Sequence, residues 1–288
     1  MDFTAGRVIA SQQFERMSKG INHSFGIVTG GVVSTSANIT VAISAVAARD
    51  YVINGAVQTT AYAGGTLALT TAHASLPRID SIYIDTSGAV GKVDGTAATV
   101  PKPPEINDTT QLLLANVYVA ANDTTLAASD IEDKRQLILP HTAFLPPFSS
   151  SGTINAGLSA TWPGTWSLGN TGADGTAGAA WVVPTGFIGL RRATAFFHSD
   201  STANAVVTVT AQWAAHGEPR NTHSDTTLAI QTVACVASQM IEYDIITNLD
   251  VASLTAGDVV GINLNRLGTN GSDTISIFYF HGFRLEWY

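Results

Sequence analysis

The sequence predicts an all-β chain in two modules. An N-terminal β-barrel or sandwich carries a short helix at its start, and a C-terminal jelly-roll β-sandwich follows. Three observations predict this. Apolar and polar residues alternate at a period of two through most of the 288 residues, the pattern of half-buried strands. The breaks between those runs are turn residues such as Asn54-Gly55, Thr86-Ser87-Gly88 and Pro184-Thr185-Gly186. A proline- and serine-rich stretch, from Leu139-Pro140 through Pro146-Pro147 to Ser149-Ser150-Ser151-Gly152, interrupts the pattern. It sets the modules at 1–139 and 161–288, with a linker over 140–160.

Taken in order, residues 8–20 form the best helix candidate: Ser11 serves as a cap, and Phe14, Met17 and Ser18 fall at helical spacing. Ile39, Val41 and Ile43 then alternate with Thr40, Ala42 and Ser44. Tyr51-Val52-Ile53 and Ala56-Val57-Gln58 flank Asn54-Gly55, a pair that tolerates the positive φ angles of a type I′ hairpin turn. Ile79 to Asp85 and Ala89 to Val93 make a second hairpin, and Leu112 to Val119 a further strand. Gly88-Ala89-Val90-Gly91-Lys92-Val93 lacks the full spacing of a phosphate loop and falls in that second hairpin, so it reads as a turn.

Gly164 to Ala180, rich in Gly, Thr and Ala, reads as loop. Seven strands follow: Trp181–Val183, Phe187–Phe197, Val206–Trp213, Leu228–Val236, Met240–Ile246, Val259–Arg266 and Thr274–Trp287. Seven strands with turn-like breaks imply a sandwich or jelly roll. No repeat of 20–50 residues and no heptad run appears, which disfavours a solenoid, a propeller or a long coiled coil.

Composition narrows the function. The chain is 45% hydrophobic and 12% charged, about half the usual charged share, so it has ample material for a core. Its formal net charge is −8 and no Lys/Arg cluster occurs, which argues against nucleic acid and anionic membrane surfaces as partners. No apolar run reaches the roughly 18 residues of a membrane helix. Met1 to Arg7 lacks the basic start and apolar core of a signal peptide, so folding in a cytoplasm is expected. The one cysteine, Cys235, sits in Val233-Ala234-Cys235-Val236 and reads as a buried, inert thiol.

The chemical motifs are sparse. There is no Gly-x-Ser-x-Gly elbow. His216 and His223 stand seven apart, which is no standard ligand pair, and the 6 glutamates and 16 aspartates, mostly in turns, present no evident acid pair. No catalytic residue, metal site or cofactor is expected. Trp213 alternates with Val207, Val209 and Ala211 and so faces the core. Trp162 and Trp166 lie in the loop-like Thr161-Trp162-Pro163-Gly164-Thr165-Trp166, where they either cap the sandwich edge or stack on a sugar or a partner. With Arg220 and His223 of the Gly217–Asp225 loop they are the candidate contact surface. Arg78 and Asp80 share a strand face with Ile82 and Ile84. A charge at the mouth of an apolar strand needs a partner; Arg135 or Asp133 is placed to supply it, and Asp80–Arg135 is the expected structural ion pair.

Three stretches resemble structural proteins of tailed phages. Phe3-Thr4-Ala5-Gly6-Arg7-Val8-Ile9-Ala10-Ser11 resembles the start segment of many tail appendages. Pro77-Arg78-Ile79-Asp80-Ser81-Ile82-Tyr83-Ile84-Asp85, Gly95-Thr96-Ala97-Ala98, Pro101-Lys102-Pro103-Pro104, Leu113 to Val119 and Ile131-Glu132-Asp133-Lys134-Arg135 together resemble the β module of baseplate, tail-fibre and decoration proteins. Leu254 to Arg266 and Phe278 to Tyr288 are similar to the last strands of phage jelly-roll tips, which are typically trimeric.

The resemblance implies a non-enzymatic homotrimer, assembled in the host cytoplasm into a virion beside other virion proteins. A tail fibre or tailspike-like appendage would anchor through Phe3, Arg7 and Phe14 and meet the host surface, with a surface glycan as one possible ligand, through Trp162, Trp166, Arg220 and His223. The alternative is a trimeric capsid decoration (cement) protein, favoured by compact size and the lack of a long shaft.

Overall fold

A computed structural model of the chain describes residues 25–147, 166–168, 172–219, 223–225, 229–246 and 253–288. The expected helix over 8–20, and with it Phe3, Arg7 and Phe14, lies outside them, as do Trp162 and Arg220. The architecture is all-β, in two compact units, Met1–Leu139 and Pro140–Tyr288.

The first unit runs through β1 (Gly26–Ile27), β2 (Val33–Thr35), β3 (Thr40–Ile43), β4 (Tyr51–Ile53), β5 (Ala56–Val57), β6 (Gly65–Ala68), β7 (Arg78–Asp85), β8 (Val90–Val93), β9 (Gln111–Val119) and β10 (Ile131–Asp133). They form three antiparallel sheets, ordered β1-β4-β5, β2-β3-β6 and β10-β9-β7-β8. Alternation builds their shared core: Val41 and Ile43 from β3, Ile82 and Ile84 from β7, and Leu112 and Leu114 from β9 are all buried against Ile27 and Tyr51. Asn54 and Gly55 turn the β4–β5 hairpin with φ of 50° and 74°, as a type I′ turn requires. Gly88 lies in the turn between β7 and β8, where Asp85 Oδ1 accepts from the backbone of Ser87 and Ala89.

The ion pairs here correct the expected Asp80–Arg135 link. Asp80 is fully buried and takes its partner from its own strand: Arg78 Nε donates to Oδ1 at 2.9 Å and to Oδ2 at 3.1 Å, and the Gly95 N–H donates to Oδ1 at 2.9 Å. The remaining Arg78 donors reach the carbonyls of Thr70 and Thr71. Arg135 pairs instead with Asp133, Nη2 to Oδ2 at 2.7 Å, and reaches the Gly30 carbonyl. The reason is the period of the strand. Residues two apart share a face, so 78 and 80 meet directly. Asp80 lies opposite Val117, which lies opposite Ile131, so the β10 backbone is about 10 Å away even before Arg135 is reached.

The second unit holds β11 (His141–Leu145), β12 (Trp166–Ser167), β13 (Gly175–Val182), β14 (Leu190–Ser199), β15 (Ala203–Ala214), β16 (His223–Asp225), β17 (Gln231–Cys235), β18 (Ile241–Asp244), β19 (Val259–Arg266) and β20 (Phe278–Trp287). Its long-range pairing is nested. The first strand meets the last, β11 with β20, and inward from there β13 meets β19, β14 meets β18 and β15 meets β17, every pair antiparallel. One long ribbon of paired strands is thereby rolled into two sheets, β11-β20-β14-β18 with β12 also paired to β20, and β13-β19-β15 with both β16 and β17 paired to β15, which is jelly-roll topology. Between the sheets, Ala193, Ala195, Phe197, Phe280, Phe283 and Leu285 from one pack with Ala177, Trp181, Val207, Val209, Trp213 and Leu264 from the other.

Two expectations change here. His141–Leu145, placed in the linker, is the first strand of the roll; Pro140 and Pro146 bound it, because proline lacks the donor a ladder needs but stops nothing between two such limits. Gly175–Ala180, read as loop, pairs with β19 along its whole length. Gly178 leaves room there for the Asn263 side chain, which lies across it and would have to shift for a Cβ. Trp213 and Cys235 are buried as expected, and burial pushes the Cys235 thiol pKa up.

Candidate recognition face

The outer face of the β11-β20-β14-β18 sheet owes its character to one irregularity in β20. Cross-strand register runs Phe196 to Gly282 and then Phe197 to Phe280, leaving His281 as the extra residue of a β-bulge. Gly282 makes the bulge possible, with φ at 139° and a position where a Cβ would meet the Leu145 carbonyl. Phe280 and Phe283 both turn inward, their rings 4.9 Å apart edge to face. Tyr279, His281, Arg284 and Glu286 are left half-buried alongside the outward Phe196 and His198 of β14 and Phe144 of β11, which is 55% exposed.

These side chains are tied into a set. Phe144 and Phe196 stand edge to face at 6.0 Å, and the Arg284 guanidinium lies 5.1 Å from the Phe196 ring centre. Arg284 Nη2 donates to Glu242 Oε2 of β18 at 3.1 Å, and its Nε stands 3.6 Å from Glu286 Oε1. Glu286 also takes Arg191. Two carboxylates therefore flank one guanidinium that lies over an aromatic ring, and its Nε is buried without a hydrogen-bond partner among the described residues. Beyond them, His198 stacks on Tyr279 at 4.6 Å, and its Nδ1 is 2.7 Å from His281 Nε2. Burial, reinforced by the neighbouring His198, lowers the His281 pKa to about 4; burial also lowers that of His198, against the opposing pull of Asp200. Chemically, the face offers aromatic surface for stacking next to fixed donors and acceptors for hydroxyls.

The outer face of the other sheet is different in kind. Across β13, β19 and β15 it presents Thr176-Asn265-Thr208, Gly178-Asn263-Thr210 and Ala180-Gly261-Gln212, with no charged residue in the array. Thr176 Oγ1 donates to Asn265 Oδ1 at 2.8 Å, so even its polar groups are partly paired within the sheet.

Of the expected contact residues, only Trp166 and His223 are among the described residues. Trp166 lies in strand β12 of the first sheet rather than in a loop, and His223 lies in β16 of the second. His223 stacks on Trp213 at 5.8 Å, with Nε2 3.5 Å from Glu218 Oε2. The Trp213 indole N–H is buried without an acceptor among the described residues. Phe144, Phe196, Glu242, Arg284 and Glu286 were not singled out from sequence. The available signal was the β20 run, whose outward residues 279, 281, 284 and 286 keep one face only if an extra residue is placed at the glycine. Among the described residues no group of three or more His, Cys, Asp or Glu side chains is placed to hold a metal, and no helix is long and apolar enough to cross a membrane.

No protein-family model and no curated protein matches the chain. Among solved structures, it is similar to an isomalto-dextranase of Arthrobacter globiformis T6 in complex with panose, at TM-score 0.33 and 10% identity over 88% of this chain and 36% of that one. It is also similar to the enzymatically active domain of tailspike protein 4 of bacteriophage CBA120, at TM-score 0.27 and 9% identity over 51% of this chain and 19% of that one. A third neighbour is infectious bursal disease virus, Gx strain, at TM-score 0.24 and 10% identity, covering 77% of this chain and 54% of that one. The chain thus spans about a third of the first of these and a fifth of the second.

Proposed function

We propose that the chain is a non-enzymatic structural protein of a phage virion, a homotrimeric tail fibre or tailspike-like appendage. Its first unit joins other virion proteins, and its jelly roll contacts the host surface. The observation that carries this reading is the face around Arg284. A guanidinium paired with Glu242 and Glu286 over Phe196, with Phe144 open beside it, presents a mixture of ring, donors and acceptors. Such a surface suits a saccharide, whose ring faces are apolar and whose edges are hydroxyls. Three linked copies would raise weak single-site binding by avidity. The uncharged face of the β13-β19-β15-β17 sheet supports self-association, because the centres of protein interfaces are depleted of charge.

The test mixes the full chain with host cells and with their purified surface polysaccharide. Binding that falls when Phe144 and Phe196 become alanine, with folding intact, is the expected result. Release of reducing sugar would mark an enzyme. Tight binding to undecorated capsids with no host binding would mark a cement protein.

A further inference from the structure

We propose that His198 and His281 form a two-imidazole site for a divalent transition-metal ion of the nickel, copper and zinc group. The site goes beyond the proposed role in host contact and involves neither Arg284 nor Phe196. Its two ligands lie 83 residues apart in sequence, on β14 and β20, and meet because the bulge at Gly282 places His281 as the extra residue facing His198.

The geometry is close to that of a chelate. Two imidazole nitrogens on one ion, with metal–nitrogen bonds of about 2.0–2.1 Å, stand roughly 2.9–3.4 Å apart between square and tetrahedral angles. His198 Nδ1 and His281 Nε2 stand at 2.7 Å, so the rings must part by a few tenths of an ångström and turn until both lone pairs point at one ion. Stacking of His198 on Tyr279, with the planes 11° apart, holds the first ring in place.

Charge also favours binding. A metal ligand must be a neutral imidazole, and both rings resist protonation in their half-buried setting. One of the facing nitrogens now carries the proton of their hydrogen bond. On metal binding that proton moves, by exchange through water, to the far nitrogen of the same ring, which stays neutral, and two lone pairs are left for the ion. Asp200 adds a negative charge near His198, favourable to a cation. Two protein ligands leave the other coordination positions to water, and imidazole ligation selects Cu2+, Ni2+ and Zn2+ over Mg2+.

The experiment titrates the full chain with NiSO4, ZnCl2 and MgCl2, by calorimetry and by NMR of the histidine ring nitrogens. Zn2+ should shift the ring signals of His198 and His281 together, and Mg2+ should shift neither. His281→Gln and His198→Gln should each weaken Ni2+ binding at least tenfold. If a variant fails to fold, the ring shifts in the unaltered protein still decide. Unmoved His198 and His281 signals at saturating Zn2+, or unchanged Ni2+ affinity in both folded variants, would overturn the proposal.

Discussion

Arg266 and Asp273 are sealed against each other inside the second unit, Nη2 to Oδ1 at 2.8 Å, with side chains 0% and 1% exposed. Arg266 also donates to the carbonyls of Leu168 and Ile275, and Asp273 Oδ2 accepts the Val206 N–H at 2.9 Å. The pair therefore ties the end of β19 to the start of β15 and to the segment leading into β20. Replacing Asp273 with alanine strands a buried guanidinium and should cost about 3–5 kcal/mol. Urea unfolding of Asp273→Ala measures it, and a loss under about 1 kcal/mol would show the pair to be dispensable.

Asp80 and Arg135 should separate in the same experiment. Asp80→Ala removes the acceptor for Arg78 and for the Gly95 N–H in a fully buried position, a loss of about 3–5 kcal/mol. Arg135→Ala breaks a pair with Asp133, whose side chain is 58% exposed, and the bond to the Gly30 carbonyl, and should cost less, about 1–2 kcal/mol. Equal losses would contradict the separate pairing.

Gly282→Ala should damage the bulge twice, through the strained φ and through the clash with the Leu145 carbonyl, for roughly 1–3 kcal/mol. Because the bulge sets the facing of Tyr279, His281, Arg284 and Glu286, polysaccharide binding should fall with it. Full retention of both stability and binding would mean that the register does not depend on the glycine.

Stability should also carry a signature of His281. Its folded pKa of about 4 lies below the ordinary value of 6.5, so the unfolded chain takes up the proton first. The stability from this group is present above pH 6.5 and is lost as pH falls toward 4. The loss is about 3 kcal/mol at most, and smaller in practice because the ring is partly solvated. His281→Gln should flatten the unfolding free energy across that window, and an unchanged slope would count against the shift.

A charge placed on the neutral face tests self-association. Thr210 sits on β15 of that face, opposite Asn263 of β19. Thr210→Arg should convert a scattering mass of three chains to one while leaving the circular dichroism intact. A trimer undisturbed by the arginine would remove this face from the interface.

The elements legible in the sequence are those whose cause is local. Asn54-Gly55 turns its hairpin through the conformational freedom of its own two residues, and β3, β7 and β9 announce themselves by alternation. The first six residues of β13 hide because Gly175 to Ala180 are small: their place is fixed by the partner strand β19, and only Trp181 and Val182 mark the strand. The face around Arg284 hides for a related reason. Phe144, Phe196, Glu242 and Arg284 come from four strands, and only the nested pairing and one added residue at the bulge bring them together. The Asp80 pair was half legible: the need for a partner follows from burial, but the partner stood two residues away on the same face.

The nested pairing has a cost in time. Strand β11 is made first and pairs with β20, whose last residue, Trp287, is translated roughly 140 residues later. At about 5–20 residues per second, the ribosome needs on the order of 10–30 s to deliver that partner. Throughout that interval His141–Leu145, with the apolar Phe144 and Leu145, waits as an open edge in a crowded cell, and β13 waits likewise for β19. Closure of the roll is thus paced by translation, and the nascent chain must be kept from pairing with its neighbours until β20 arrives.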